Sequence, residues 1–453
     1  MERRPRVVPG LGQPQRALRE EPGRGGEGAA RADQRRRRSA RVTERRHTAR
    51  LVLTGHIIDS MTLPQVMDMV MDLGGNFTIE ELKVGQHKTD TSLCRMEVVA
   101  GSAALLDRIV RRARALGATA ESEQPVRLER VTQEGVFPEG FYSTSNLPTE
   151  VLLGERWVPV ENMEMDCAIA VDRGNGRARC IVFQGAKPGM EIVIGHRGVR
   201  VTPLERSRQT EIFSFMGSEV SAEKPKKVLI AGIAEEMRQI HAAGGRIAVV
   251  AGPAVVHTGA GRYLSRLIEL GFVQVLFAGN ALAVHDVESA LFGTALGVNI
   301  ESGLAIEHGH EHHMRAVNRV RAAGGLRQMV KSGQLKSGVM KSAIDHGIEF
   351  VLAGSVRDDG PLPDVITDMI EAQQRMRAAL TGVRMALMLS TMLHSIATGN
   401  MLPAGVRTVC VDINPAVVTK LADRGSWQSI GLVTDVESFL RELAQVMETG
   451  AHG

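Results

Sequence analysis

The chain has 453 residues, of which 43% are hydrophobic and only 3% aromatic, with 48 glycines and four cysteines; this excludes collagen-like, wholly disordered and disulfide-stapled chains and points to two or three globular domains. No run of about 18 apolar residues is present, so no membrane span is expected and a cytoplasmic location follows. The formal net charge of +4 is carried by residues 1–50, which hold 15 Arg against 6 acidic residues, so the remainder is slightly negative and no nucleic-acid role is expected of it.

Residues 1–49, rich in Gly, Pro and Arg, read as a disordered leader. Residues 50–134 read as a ferredoxin-like βαββαβ domain: strand Leu51–Ile58, helix Leu63–Leu73 stopped by Gly74-Gly75, strands Phe77–Val84 and Cys94–Ala100, helix Ala103–Leu116 and a last strand at Val126–Val131. Across residues 135–205 the helical spacing disappears, and short strands at Glu155–Val160, Cys167–Val171, Ala178–Phe183, Glu191–Ile194 and Val199–Pro203 alternate with Gly turns, a small β-rich module. Residues 206–226 read as a connector. Cys94, Cys167, Cys180 and Cys410 have no metal or redox spacing and sit mostly in strand-like runs, which reads as reduced and apolar.

From residue 227 to 450 the pattern changes to β-branched, nearly uncharged runs, each followed by a turn and a helical segment: Arg246–Gly252, Val273–Gly279, Glu349–Ser355, Met385–Thr391, Arg407–Ile413 and Ser429–Asp435. This predicts an α/β, Rossmann-like domain with a doubly wound parallel sheet, which binds its ligand outside the carboxyl ends of the strands. Gly259, Gly261 and Leu264 form a damaged G-x-G-x-x-G, set six residues beyond the first strand. Other strand ends are chemically denser. Asn280-Ala281 opens a helix with small residues where backbone can approach a pyrophosphate, Thr391-Met392-Leu393-His394 ends a strand with groups that could hold the nicotinamide ribose or amide, and Asp359 lies in the rigid loop Arg357–Asp364. Asp412 ends a buried strand where a carboxylate can accept both hydroxyls of a ribose, as the acidic residue of NAD sites does; capping of the helix at Pro415 is the competing role. Asp435 could equally be a plain helix cap.

Several long strings are far more specific than a glycine fingerprint: G-H-I-I-D-S at 55–60, G-G-N-F at 74–77, H-T-G-A-G at 257–261, A-G-N-A-L-A-V-H-D at 278–286, A-G-S-V-R-D-D-G-P-L-P-D-V-I-T-D at 353–368, T-M-L-H-S-I-A-T-G-N-M-L-P at 391–403 and V-C-V-D-I-N-P-A-V-V-T-K-L at 409–421. Together they resemble the family named for the conserved domain of lysine-ketoglutarate reductase/saccharopine dehydrogenase (LOR/SDH), whose characterised members are archaeal-type, NAD-dependent ornithine cyclodeaminases. The same stretch is similar to the carboxy-terminal half of cyanobacterial bifunctional arginine dihydrolases, whose guanidine-processing half has no counterpart here. The resemblance runs from about residue 50 to 448. It implies NAD contacts at Asn280, Ala281, Asp359, Thr391, Met392, Leu393, His394, Asp412 and Asp435, and conversion of L-ornithine to L-proline and ammonia by an NAD cofactor that is not consumed.

For proton transfer the candidates are Lys88 and Asp90, in a polar loop between two strands of the small domain, and His310 in the cluster Glu307–His313. That cluster has no intact H-E-x-x-H, and no metal is assigned to it. Asp286, Asp358 and Arg357 are available to the charged groups of ornithine. An amino-acid dehydrogenase acting on a saccharopine-like substrate and a non-catalytic amino-acid or nucleotide sensor are the alternatives, and self-association into a homo-oligomer is expected of a large α/β enzyme.

Overall fold

The computed structural model describes residues 47–58, 60–87, 90–120, 124–202, 226–300, 304, 309–358, 360–422 and 429–449. Residues 1–46 of the leader, all of the connector but residue 226, Lys88, Asp359 and the side chain of His310 lie outside the described residues, and the last three leader residues open the first strand.

The first sheet is four-stranded and antiparallel: His47–Gly55 pairs centrally with Ser92–Ala100, which pairs with Asn76–Lys83 at one edge, and with Thr119–Ala120 at the other. The helices Thr62–Asp72 and Ala103–Ala115 pack on one face, burying Val66, Val70, Ile109 and Ala113 against Leu51, Leu53, Met96 and Val98. The alternation of the central strands puts those apolar side chains on a single face. This is the ferredoxin-like order, with one correction. The strand read at Val126–Val131 does not complete this sheet; Thr119–Ala120 does, and Arg127–Arg130 pairs with Glu191–Ile194 in the next sheet.

That second sheet has seven strands, adding Thr149–Leu153, Arg156–Glu161, Ala168–Asp172, Arg177–Ile181 and Val199–Val201, and every pair is antiparallel except Arg156–Glu161 with Arg177–Ile181. It joins the neighbouring parts. Arg114 of the first helix pair donates to the His196 carbonyl. On the other side Met165 N–H donates to Asn400 O, Ala404 N–H to Asn146 O, and Arg377 pairs with Glu164 at 2.8 Å.

The large sheet is wholly parallel. Its seven strands lie in the order Val365–Ile366, Glu349–Ala353, Val275–Gly279, Arg246–Ala251, Val383–Leu389, Arg407–Asp412, Ser429–Val433. Without the two-residue edge strand this is the Rossmann order, in which the chain runs outward in both directions from its first strand. The six strands expected from the sequence are all present. Residues alternate between two cores: Ile247, Val249 and Val409 face Leu229, Ile233, Phe439 and Leu443, while Ala248, Val250, Met388 and Cys410 face Met376, Ala379 and Val417. Helices therefore cover both faces, which is why these strands read as continuous apolar runs. The helix Lys226–Ala242, which precedes the first strand, was not anticipated; its Ile233 and Met237 are fully buried.

Candidate functional site

In a sheet of this order the two halves of the chain diverge between Arg246–Ala251 and Val383–Leu389, and a crevice opens there at the carboxyl ends. Gly252 leaves the first strand with its N–H on Leu389 O at 2.9 Å. A methyl group at Gly252 would collide with the Ser390 carbonyl, so the two loops approach as closely as backbone can. Ser390 has φ +49°, an uncommon left-handed conformation for a side-chain-bearing residue, and its N–H is held by Val411 O. This turn delivers Thr391 as the N-cap of the helix Met392–Met401; the Thr391 side chain makes no capping bond, and the first turn carries no acidic residue. The N–H groups and positive end of that helix are therefore open to an anion.

His394, on the first turn of the same helix, reaches across the crevice to the second strand: its Cε1 would lie 3.3 Å from a methyl group at Gly279. Burial pushes its pKa down, against a weaker upward pull from Asp358. Asn280 follows Gly279 and is 5% exposed, with its Oδ1 accepting the Leu362 N–H at 3.0 Å; it ties the loop after the third strand to the crevice. In that loop Asp358 Oδ2 accepts the Ser355 N–H at 2.9 Å.

At the end of the fifth strand of the Rossmann order, Asp412 Oδ1 accepts the Asn414 N–H at 2.8 Å, and Asn414 Oδ1 accepts the Ala416 N–H at 3.0 Å. Asn414, not Asp412, thus caps the helix Pro415–Ala422. Asp412 is 9% exposed, and its Oδ2 takes no hydrogen bond among the described residues. Asp435 is a helix cap: its Oδ1 accepts the Ser438 N–H at 3.0 Å. Leu393 and Ile413, beside these groups, are 75% and 74% exposed.

The structure thus brings together Asn280, Thr391, Met392, Leu393, His394 and Asp412 around one crevice. Ala281 is the second residue of the helix that Asn280 opens, and Asp435 stands one strand beyond Asp412. The glycine fingerprint does not join them. A short helix, Ala254–His257, intervenes; Gly259 then packs near Ile300 and Gly261 near Val339. Nor is Asp286 available to a ligand. It is buried, and both its oxygens accept N–H groups, of Val339 and Met340, each at 2.8 Å, capping the helix Val339–Asp345. Asp90 lies in the hairpin loop of the first sheet, where its Oδ2 accepts the His87 N–H at 2.9 Å and faces His87 Nδ1 at 3.0 Å; these bonds lower its pKa.

Two features escaped the sequence reading. Gly252 is the close-approach glycine, and its signal is that it directly follows a strand, as the displaced fingerprint does not. The second is the cluster of His257, His285, Glu288, Thr294 and His312, foreshadowed only by the His-x-x-Glu spacing at 285–288.

Comparison with known proteins gives three family matches. Residues 231–443 match the family described as arginine dihydrolase ArgZ-like, C-terminal, Rossmann fold, residues 148–230 its C-terminal first region, and residues 48–147 the LOR/SDH bifunctional enzyme conserved region. The chain is 52% identical over 397 residues to an ornithine cyclodeaminase of Methanopyrus kandleri, covering 87% of this chain and 96% of the relative. It is 45% identical over 403 residues to the bifunctional arginine dihydrolase/ornithine cyclodeaminase AgrE of Nostoc sp., where it spans 57% of the relative's length. Among solved structures it resembles a conserved LOR/SDH protein of Methanococcus maripaludis, with TM-score 0.69, 48% identity and coverage of 72% of this chain and 99% of that one. It also resembles the cyanobacterial arginine dihydrolase ArgZ in its apo form, with TM-score 0.79, 39% identity and coverage of 90% of this chain and 59% of that one.

Proposed function

This chain belongs to the LOR/SDH, ArgZ-like family that includes the archaeal ornithine cyclodeaminases, and from that premise we propose that it converts L-ornithine to L-proline and ammonia with NAD as a bound cofactor. The observation that carries the reading is the strand–turn–helix–strand unit from Val383 to Asp412, which puts an open helix N-terminus and an unpaired carboxylate oxygen on one crevice.

The residues present fit a dinucleotide. Asp412 Oδ2 is free to accept from ribose hydroxyls, and an ionised acceptor there favours a free 2′-hydroxyl over a 2′-phosphate. The backbone of Thr391, Met392, Leu393 and His394 would receive the pyrophosphate at the helix start, where Gly252 leaves room. Leu393 and Ile413 present apolar surface suited to a planar base. Asn280 and Ala281, on the other side of the switch point, are assigned to the nicotinamide half together with Asp359, and Asp435 to the outer flank of the adenosine site. When bound, NAD supplies a hydride acceptor that returns the same electron pair within one turnover, so no net oxidation occurs.

The protein's share is to bind ornithine with Cα against the cofactor, to exclude water and to move protons. The ornithine monocation becomes zwitterionic proline and ammonium, so every proton taken up is released in the same cycle. Asp358 and Arg357 remain the charged groups for the substrate's own charges, since Asp286 is fully engaged. Lys88, Asp90 and His310 stay proposals for proton transfer.

No described helix is long and apolar enough to cross a membrane. We place the enzyme in the cytoplasm, supported by four buried free cysteines. A homo-oligomer is supported by the edge strand Asn76–Lys83, which leaves Ile79 and Leu82 exposed beside backbone groups that pair with no other strand among the described residues. Incubation with ornithine and NAD should yield proline and ammonia in equal amounts, with no growth of absorbance from reduced cofactor. Sustained growth of that absorbance would instead mean a dehydrogenase.

A further inference from the structure

A half-buried chain of imidazoles around one buried carboxylate lies beside the strand ends and takes no part in the contacts assigned above. Glu288 is 0% exposed, and an ionised carboxylate in such a place is stable only if its lone pairs are occupied. Its Oε1 accepts the Thr294 hydroxyl at 2.8 Å and the Gly297 N–H at 3.0 Å. Its Oε2 accepts the Leu296 N–H at 3.2 Å and stands 2.8 Å from His285 Nδ1. Burial pushes the Glu288 pKa upward, but the bonds from His285, Gly297 and Thr294 outweigh it and hold the group below its ordinary value.

A carboxylate fixed on Nδ1 takes the Nδ1–H, leaves Nε2 as an acceptor and stabilises the imidazolium when it forms. The His285 ring sits 4.6 Å from the ring of His257 and 6.5 Å from that of His313. His257 Nδ1 is buried with no partner. Burial, and then the neighbouring His285, push the His257 pKa down to about 4, so His257 is neutral beside His285. A brace for the turn at Thr294–Asn299 would need only Glu288, Thr294 and the two amides. A tilted pair of imidazoles in contact, with an orphaned buried nitrogen, adds desolvation cost and no structural bond.

We propose that Glu288 is a positioning residue that holds His285 as the proton acceptor for the ammonium group of the substrate, with His257 as the neutral relay beside it. This rests on the ornithine reading above. His285 Nε2 takes a proton from the α-ammonium, so that the nitrogen lone pair forms the C=N bond as the Cα–H electron pair goes to the cofactor. The δ-ammonium loses a proton to solvent water, the δ-amine so formed adds its lone pair to Cα as the C=N electron pair moves onto the α-nitrogen, and the ring nitrogen gives its extra proton to water. The proton held at His285 returns to the α-nitrogen, whose C–N bond breaks with its electron pair to release ammonia as the ring-nitrogen lone pair forms a C=N bond; that ring carbon would receive hydride from bound NAD, and proline and ammonia regain from water the two protons lost by the δ-nitrogen.

Among the described residues, the groups facing His285 are His257 from the short helix, Glu288 on its own helix, Thr294 from the following turn, and His312, through Thr294, and His313 from the next helix. Asp286, one position on, is directed to the helix Val339–Asp345 instead.

The test uses the full chain. Glu288→Gln should lower kcat about 10- to 100-fold, leave the NAD Kd within about twofold and move the acid limb of the kcat–pH profile down by about one pH unit, because the imidazolium loses its carboxylate partner. Imidazole ¹⁵N NMR of cofactor-free protein should show His285 as the Nδ1–H tautomer, with its titration moved down by the same substitution. His285→Asn, which does not depend on the buried carboxylate's replacement folding well, should lose about 10²- to 10⁴-fold in kcat. An unchanged pH limb in Glu288→Gln, or near-wild-type kcat in His285→Asn, would overturn the proposal. A wild-type protein that forms no proline overturns the ornithine reading and the role of His285 toward that substrate; the NMR tautomer then reports separately whether the Glu288–His285 pair exists.

Discussion

Asp412 and Asn414 divide between them the two jobs a strand-end acid can do: Asn414 caps the following helix, while Asp412 binds the Asn414 N–H with one oxygen at 2.8 Å and keeps the other unengaged by any described residue. The unengaged oxygen is what a ribose needs. Asp412→Ala should therefore weaken NAD binding by roughly tenfold or more, as expected for losing charge-assisted hydrogen bonds of about 1.5–3 kcal/mol. Because Asn414 still caps the helix, the melting temperature should move by only a few degrees. Fluorescence titration with NAD checks the first expectation and calorimetry the second.

Gly252 should tolerate no side chain. A methyl group there would strike the Ser390 carbonyl, and both loops are held by strand bonds, from Gly252 to Leu389 and from Ser390 to Val411. Gly252→Ala is expected to displace the Ser390–His394 turn, abolish measurable NAD binding and lower the melting temperature. Thermal unfolding with and without NAD reads both, since only a protein that binds the cofactor is stabilised by it.

Asn280→Ala removes the acceptor of the Leu362 N–H. A buried donor left unpaired costs about 1–3 kcal/mol, so denaturant unfolding should show a loss in that range. The loop bearing Asp358 should also loosen and raise the KM for NAD. Asn280→Asp keeps an acceptor oxygen and should recover part of the stability.

The pH dependence has a definite sign at His257. Its folded pKa, lowered to about 4 by burial and by His285, lies below the 6.5 of an unperturbed imidazole. The unfolded chain therefore binds more protons than the native one between about pH 4 and 6.5, and stability contributed by neutral His257 is complete above that window and falls as pH drops through it. His257→Gln should show a shallower loss of stability on acidification from pH 7 to 5 than the wild type. Urea titrations at a series of pH values measure the slope.

Much of the large domain was legible because a sheet covered on both faces writes itself as runs such as Ile247–Ala251 and Val409–Val411, whose burial needs no long-range information. The fourth strand of the first sheet was not. Val126 and Leu128 alternate as well as any strand, yet Arg127–Arg130 pairs with Glu191–Ile194, while Thr119–Ala120 contributes two residues to the sheet beside Leu51 and Val52. Pairing partners are set by tertiary packing, which local periodicity does not encode. The same limit hid the candidate site's finer parts. Asp412 was visible as an acid at a strand end, but its release from capping depends on Asn414. Asp286 looked equally available until the helix at Val339 was seen to claim both its oxygens. His257 and Glu288 lie far apart in the chain and meet only through the packing of the helices Ala254–His257 and Asn280–Phe292.

The most direct measurement follows the hydrogen on the substrate's α-carbon. L-Ornithine deuterated at Cα, incubated with the full chain and unlabelled NAD, should give proline that retains deuterium at C2, with ammonia equal to proline and no accumulation of reduced cofactor. Proline carrying protium at C2, or reduced cofactor accumulating in step with ornithine consumed, would contradict the account.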